Sequence, residues 1–196
     1  MMAAADAHWS ADARAAEEAL FGDTLACEAV LPAGFVPGGA ANASRAEALL
    51  LGLARVEDLR GGDDAGEDKR GELPLLAQRL DAKLDLVLAL LARLVRQSGR
   101  PLPPVPLRWS VRGLRLRLPE RAEPPAAGTA GAVCLQPADW LPDELELPVV
   151  VAACDRTGDA VQVWLRFPDL PEGLEEAMGR HLFRMHRRQV AGARRR

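Results

Sequence analysis

Between residues 72 and 98 apolar side chains recur in steps of four and three: Leu73, Ala77, Leu80, Leu84, Val87, Leu91 and Leu94, closing at Ser98. A mean step of about 3.5 residues keeps one seam of an α-helix facing a partner as the helices supercoil. The order of steps makes Leu73, Leu80, Val87 and Leu94 the d positions and Ala77, Leu84, Leu91 and Ser98 the a positions. Pro74 sits where a first helical turn tolerates it, and Gly99 and Pro101 supply the stop. A helix of this span is about 40 Å long. Its flanks are apolar too, with Leu76 and Leu90 at g and Leu88 and Val95 at e. That stripe is wider than one partner covers, and Leu84 at a with β-branched Val87 at d leans away from dimers. The pattern predicts a bundle of three or four helices, a homotetramer preferred, with Asp81 and Lys83 placed to pair across helices. The competing reading packs the same stripe against the chain's own β domain.

Elsewhere the periods are shorter. Residues 1–19 are Ala-rich and weakly patterned, and read as an N-terminal arm, either a loose helix or disordered. Residues 20–36 contain a candidate strand, Thr24–Leu31, ended by Pro32 and Gly34. Ser44 and Glu47 have capping-box spacing, and Leu49, Leu50, Leu53 and Val56 follow at helical steps, so 44–60 reads as an amphipathic helix. After a Pro-rich entry, Leu107–Val111 and Leu114–Leu118 alternate apolar residues with arginine, the signature of half-buried strands. Further strands are predicted at 132–135, 145–154 and 160–167, the last two joined by a turn at Asp155–Asp159. Leu174, Ala177, Met178, His181, Leu182 and Met185 mark a closing amphipathic helix with Pro171 near its start.

Composition narrows the picture. With 48% hydrophobic, 27% charged and 4% aromatic residues and no Tyr among 196, the core is built mainly from Leu, Val and Ala. Heavy Ala, Arg, Gly and Pro usage fits a GC-rich bacterial genome. A net charge of −3 gives no global pull towards nucleic acid. Only the C-terminal end is basic: no acid follows Glu176, and Arg194, Arg195 and Arg196 end a basic tail at 191–196. The first twenty residues lack the apolar core of a signal peptide. The longest apolar stretch, Leu84–Leu94, is interrupted by Asp85 and Arg93 and is too short to span a bilayer. The expected location is cytoplasmic.

Reactive constellations are missing. Cys27, Cys134 and Cys154 share no CxxC spacing, which argues against a disulfide framework or a thiolate metal site. His181 and His186 are five apart and diverge on a helix; His181, in the apolar stripe, reads as a core residue. No HExxH, GxSxG, Walker A or GxGxxG string occurs. The sequence therefore predicts a non-enzyme with no catalytic residues, no metal and no cofactor.

Three passages carry a resemblance. Trp109-Ser110-Val111-Arg112-Gly113-Leu114 is similar to the end of a [DN]xSxxG motif. Leu147–Val151 through Val161–Phe167 resembles a hairpin ending in an apolar-x-Phe strand. The last helix carries Arg184, Arg187, Arg188 and Gln189. In this order they resemble the PilZ domain, over about residues 101–190. The resemblance implies an α+β fold: a small antiparallel β-barrel with a C-terminal helix, here joined to the long heptad-repeat helix forming an oligomeric coiled coil. Many members bind cyclic di-GMP. The motif here departs from the pattern: Ser110 and Gly113 match, but Arg108 stands where the family has Asp or Asn. Arginine has donors only, so it cannot supply the missing acceptor. Arg96 and Arg100 spell the family's upstream RxxxR string, yet only seven residues separate it from Arg108, four of them Pro. Proline is barred from central strands, so the expected intervening strand does not fit.

The reading that follows is an atypical PilZ-like scaffold, assembling with itself and acting on an unidentified protein partner, without usual cyclic di-GMP binding. By resemblance this points to motility, surface attachment or virulence pathways. One alternative is a cyclic di-GMP receptor with a rearranged site using Arg96, Arg100 and Ser110. Another is nucleic-acid binding by the basic C-terminal helix. Neither membrane insertion nor a nucleic-acid partner is favoured.

Overall fold

The computed structural model describes residues 9–61, 80, 84, 87, 102–138, 141 and 143–194. Helix α1 is Ala11–Phe21, and strand β1 is Ala26–Pro37. Helix α2 is Ala43–Gly61, and strands β2 and β3 are Pro104–Ser110 and Gly113–Pro119. Strands β4, β5 and β6 are Ala130–Leu135, Leu145–Thr157 and Ala160–Arg166, and helix α3 is Glu172–Arg194. The six strands close into an antiparallel barrel in the order β1-β2-β3-β6-β5-β4. The α+β barrel with a C-terminal helix is thus the fold the sequence implied.

Closure depends on β1, which serves two neighbours. Residues 26–32 pair with β2 and residues 33–37 with β4. Pro32 and Gly34, read as the end of a strand, mark instead the corner where β1 changes partner. Proline in β2 also needs correction as an argument against a strand. Pro104 and Pro106 lie within it, but β3 pairs only with residues 107–110. Over 104–106 the strand has β1 on one side only, and such an edge tolerates proline.

Alternation then builds the core. Val105, Leu107 and Trp109 of β2 point inwards with Leu114 and Leu116 of β3 and Val161, Val163 and Leu165 of β6. Leu50 of α2 and Leu174, Ala177, Met178, Leu182 and Met185 of α3 join the same cluster, so both helices seal onto the barrel's own core. Glu57 of α2 ties the two together, accepting from Arg184 Nε at 3.0 Å and Arg188 Nη1 at 2.6 Å. The cap of α2 is two positions earlier than the sequence suggested. Asn42 Oδ1 accepts from the Arg45 N–H at 3.0 Å, which places Ser44 inside the helix.

The expected arm at 1–19 is the largest difference. Residues 11–21 form α1, capped by Ser10, whose side chain accepts from the Ala13 N–H. Trp9, Ala13, Ala16, Leu20 and Phe21 are buried against Trp164 and Ala153 in a second cluster, separate from the barrel core. Three of the inward positions are at most the size of Leu, so the stripe was faint.

Candidate functional site

The heptad helix comes first. Positions 80, 84 and 87 are helical, and Leu80, Leu84 and Val87 are 60%, 58% and 50% exposed. They are three successive d, a and d positions of the predicted seam. Leu73, Ala77, Leu91, Leu94 and Ser98 lie outside the described residues, as do Arg96 and Arg100. Single exposed leucines are ordinary on a protein surface; three apolar side chains at successive seam positions make a candidate contact face.

The second candidate is the motif around Arg108, Ser110 and Gly113. In β2 the inward residues alternate with Arg108 and Ser110, which face outwards. The hairpin register sets Arg108 directly opposite Arg115, and Ser110 opposite Gly113. Arg115 in turn faces Trp164 on β6. Two arginines directly opposed across strands repel unless an anion sits between them. Here Glu17 of α1 is that anion. Its Oε1 accepts from Arg108 Nη1 at 2.6 Å and Arg115 Nη1 at 2.9 Å, and its Oε2 accepts from Trp164 Nε1 at 2.7 Å. Aromatic rings brace the pair. Arg108 lies over Phe21 at 4.8 Å and Arg115 over Trp9 at 5.1 Å, while Trp9 meets Trp164 edge-on at 5.0 Å.

The rest of the motif holds the end of the same helix. A helix leaves its last carbonyls without partners. Ser110 Oγ donates to the Leu20 carbonyl at 2.7 Å, and Arg112 Nη1 donates to that of Ala19 at 3.2 Å. Ser110 is fully buried although it faces outwards, because α1 covers it. Gly113 has no positive φ, so turn geometry does not require a glycine there. It is needed for close approach: a Cβ there would collide with the Leu165 carbonyl and come within 3.0 Å of Leu20 Cδ2. Beside this point an open cleft of about 270 Å³ is lined by Leu20, Val111, Arg112, Arg166 and Phe167 among others.

The basic C-terminal helix is less free than its sequence implied. Arg180 pairs with Glu176 at 2.6 Å, and Arg184 and Arg188 share Glu57. His181 is buried near the middle of this helix, 5.5 Å from the Trp109 ring, with neither ring nitrogen hydrogen-bonded among the described residues. Burial drives its pKa down to about 4; Glu57 opposes that shift and Arg188 and Arg184 add to it. Burial also raises the Cys154 thiol to about 11, the reverse of an activated nucleophile. Among the described residues no group of His, Cys, Asp and Glu could hold a metal ion, and no helix is long and apolar enough to cross a membrane.

Glu17, Arg115 and Trp164 were not singled out by sequence reasoning, yet signals existed. A two-residue turn after Ser110 fixes Arg108 opposite Arg115. Trp9, Ala13, Ala16 and Leu20 step by four, three and four, with the acid Glu17 on that face.

Comparison with known proteins agrees with this architecture. Residues 50–195 match the family described as "Atypical PilZ domain, cyclic di-GMP receptor". A solved structure, a pathogenic protein from Xanthomonas campestris, is 50% identical and superposes with a TM-score of 0.76. The match covers 93% of this chain and 99% of that one. That protein is described as a new tetrameric PilZ domain self-assembled via an unusual helical bundle. No curated protein matches significantly.

Proposed function

The chain belongs to the atypical PilZ domain family, and on that premise we propose that it is a non-enzymatic regulatory scaffold that assembles as a homotetramer. Assembly runs through the heptad helix at 72–98, and the PilZ-like domain at 101–190 acts by contact with a protein partner in the cytoplasm. The observation that carries this reading is the exposure of Leu80, Leu84 and Val87 in the isolated chain. Burying such a seam in a bundle gains roughly 25 cal/mol per Å² of apolar surface, and the wide apolar flanks favour four helices over two. The tetrameric helical bundle of the Xanthomonas campestris protein lends support.

Usual cyclic di-GMP binding is not part of this reading. The position that should accept a hydrogen bond holds Arg108, tied to Glu17, and the Ser110 hydroxyl is spent on Leu20. The test of assembly is Leu84→Asp combined with Leu91→Asp. The double variant is expected to run as a folded monomer with the barrel's circular dichroism intact. Unchanged mass in solution would sink the proposal.

The family's description as cyclic di-GMP receptors favours a second reading, a receptor with a rearranged site using Arg96, Arg100 and Ser110. Titration calorimetry with cyclic di-GMP separates the two. Micromolar binding to the wild-type chain that is lost in Arg96→Ala supports the receptor; silence retires it.

A further inference from the structure

The outer face of β2, β3 and β6 has the makings of a binding surface. Arg108 and Arg115 stand side by side, Trp164 offers a ring and an N–H, and Ser110 offers a hydroxyl, all on one face. Guanidiniums with an adjacent aromatic ring suit a phosphate-bearing nucleotide, the guanidiniums taking the phosphate and the ring stacking on the base. In the folded chain every one of these groups is engaged by α1. The Glu17 carboxylate takes the place of an anion between the arginines and on Trp164 Nε1. The carbonyls at the end of the helix take Ser110 and Arg112.

The α1 contact lies outside the cluster that fills the barrel's interior. The α1 cluster of Trp9, Ala13, Ala16, Leu20, Phe21, Ala153 and Trp164 is disjoint from the barrel core. Lifting α1 therefore removes one layer and leaves the core packed. The cleft beside the motif is already about 270 Å³, just under the usual size of a ligand site, and Ala19 and Leu20 form one of its walls. Displacing them would extend it across the two arginines.

We infer that α1 is an intramolecular latch: Glu17 occupies, as a stand-in anion, an arginine–tryptophan surface that accepts a phosphate-bearing nucleotide once the helix lifts. This rests on the reading above that the resting chain does not bind cyclic di-GMP in the usual way. The resting state and the nucleotide-bound state compete for the same donors, so removing Glu17 raises apparent affinity by the fraction of chains that open.

The experiment is calorimetric titration of cyclic di-GMP into the full-length chain, wild type, Glu17→Ala, and Glu17→Ala with Arg115→Ala. The latch predicts at least a ten-fold gain in affinity for Glu17→Ala and its loss when Arg115 is also removed. Inorganic phosphate is the control probe; binding as tight as the nucleotide's would overturn the nucleotide assignment. Hydrogen exchange of the wild-type chain guards against a folding defect in the variant. Amides of 11–21 should exchange through a partial opening that leaves β2, β3 and β6 protected. Equal protection of α1 and these strands would overturn the latch. The two readings fail separately. Silence of a folded Glu17→Ala chain contradicts the latch alone, whereas tight binding by the wild type contradicts the scaffold reading.

Discussion

Helices α1 and α3 both lie against the barrel, yet they are bound to it in different ways. The apolar face of α3 is continuous with the barrel interior, sharing one cluster with Leu107, Trp109, Leu114 and Leu165. The face of α1 meets residues that point outwards, and a charged triad of Glu17, Arg108 and Arg115 sits in the middle of the contact. A helix that completes a core is inseparable from the fold. A helix held by a small apolar patch and polar ties can leave while the fold persists, since local opening follows contact rather than chain order.

That contrast can be broken in several places. The largest effect is expected from Leu182→Ala, fully buried in α3, at about 2–5 kcal/mol of global stability. Leu20→Ala in α1, equally hidden, should instead raise exchange of residues 11–21 while leaving the midpoint of barrel unfolding close to that of wild type. Equal losses at both sites, read by denaturant melts, would erase the distinction.

His181 supplies a smaller effect, specific to the α3 side. Burial lowers its pKa from 6.5 to about 4, so the unfolded chain takes up the proton more readily than the folded one. The stability tied to the neutral ring is present above the unfolded value and lost as pH falls from about 6.5 towards 4. Between pH 7 and pH 5 this amounts to about 2 kcal/mol. A His181→Leu chain should lose correspondingly less stability over that interval, and parallel pH profiles would refute the assignment. The smallest effect belongs to the cap of α1. Ser10→Ala should weaken the helix by about 1 kcal/mol, visible in exchange of residues 11–21 and not in barrel melting.

The same contrast explains what could be read from the sequence. Strands β2, β3, β5 and β6 and helix α3 were legible because alternation and helical spacing of large apolar residues carry the signal. The corner in β1 was not, because Pro32 and Gly34 look like a stop unless it is known that the strand changes neighbours there. Helix α1 was faint because Ala13 and Ala16 bury little area and contrast weakly with their Ala-rich surroundings. Arg108 was read only for the acceptor it lacks. Its actual partner, Glu17, lies 91 positions away, and no local pattern joins residues so distant. The prolines of β2 misled because the rule against them applies to strands paired on both sides, and this stretch is paired on one.

The seam at Leu80, Leu84 and Val87 belongs to neither helix, and it bears the central claim, that the chain is built to assemble with itself. The direct measurement is the solution mass of the full-length chain by light scattering after size exclusion. The account predicts a mass near four times 21.1 kDa. A single-chain mass of 21.1 kDa, held across the concentration range, would contradict it.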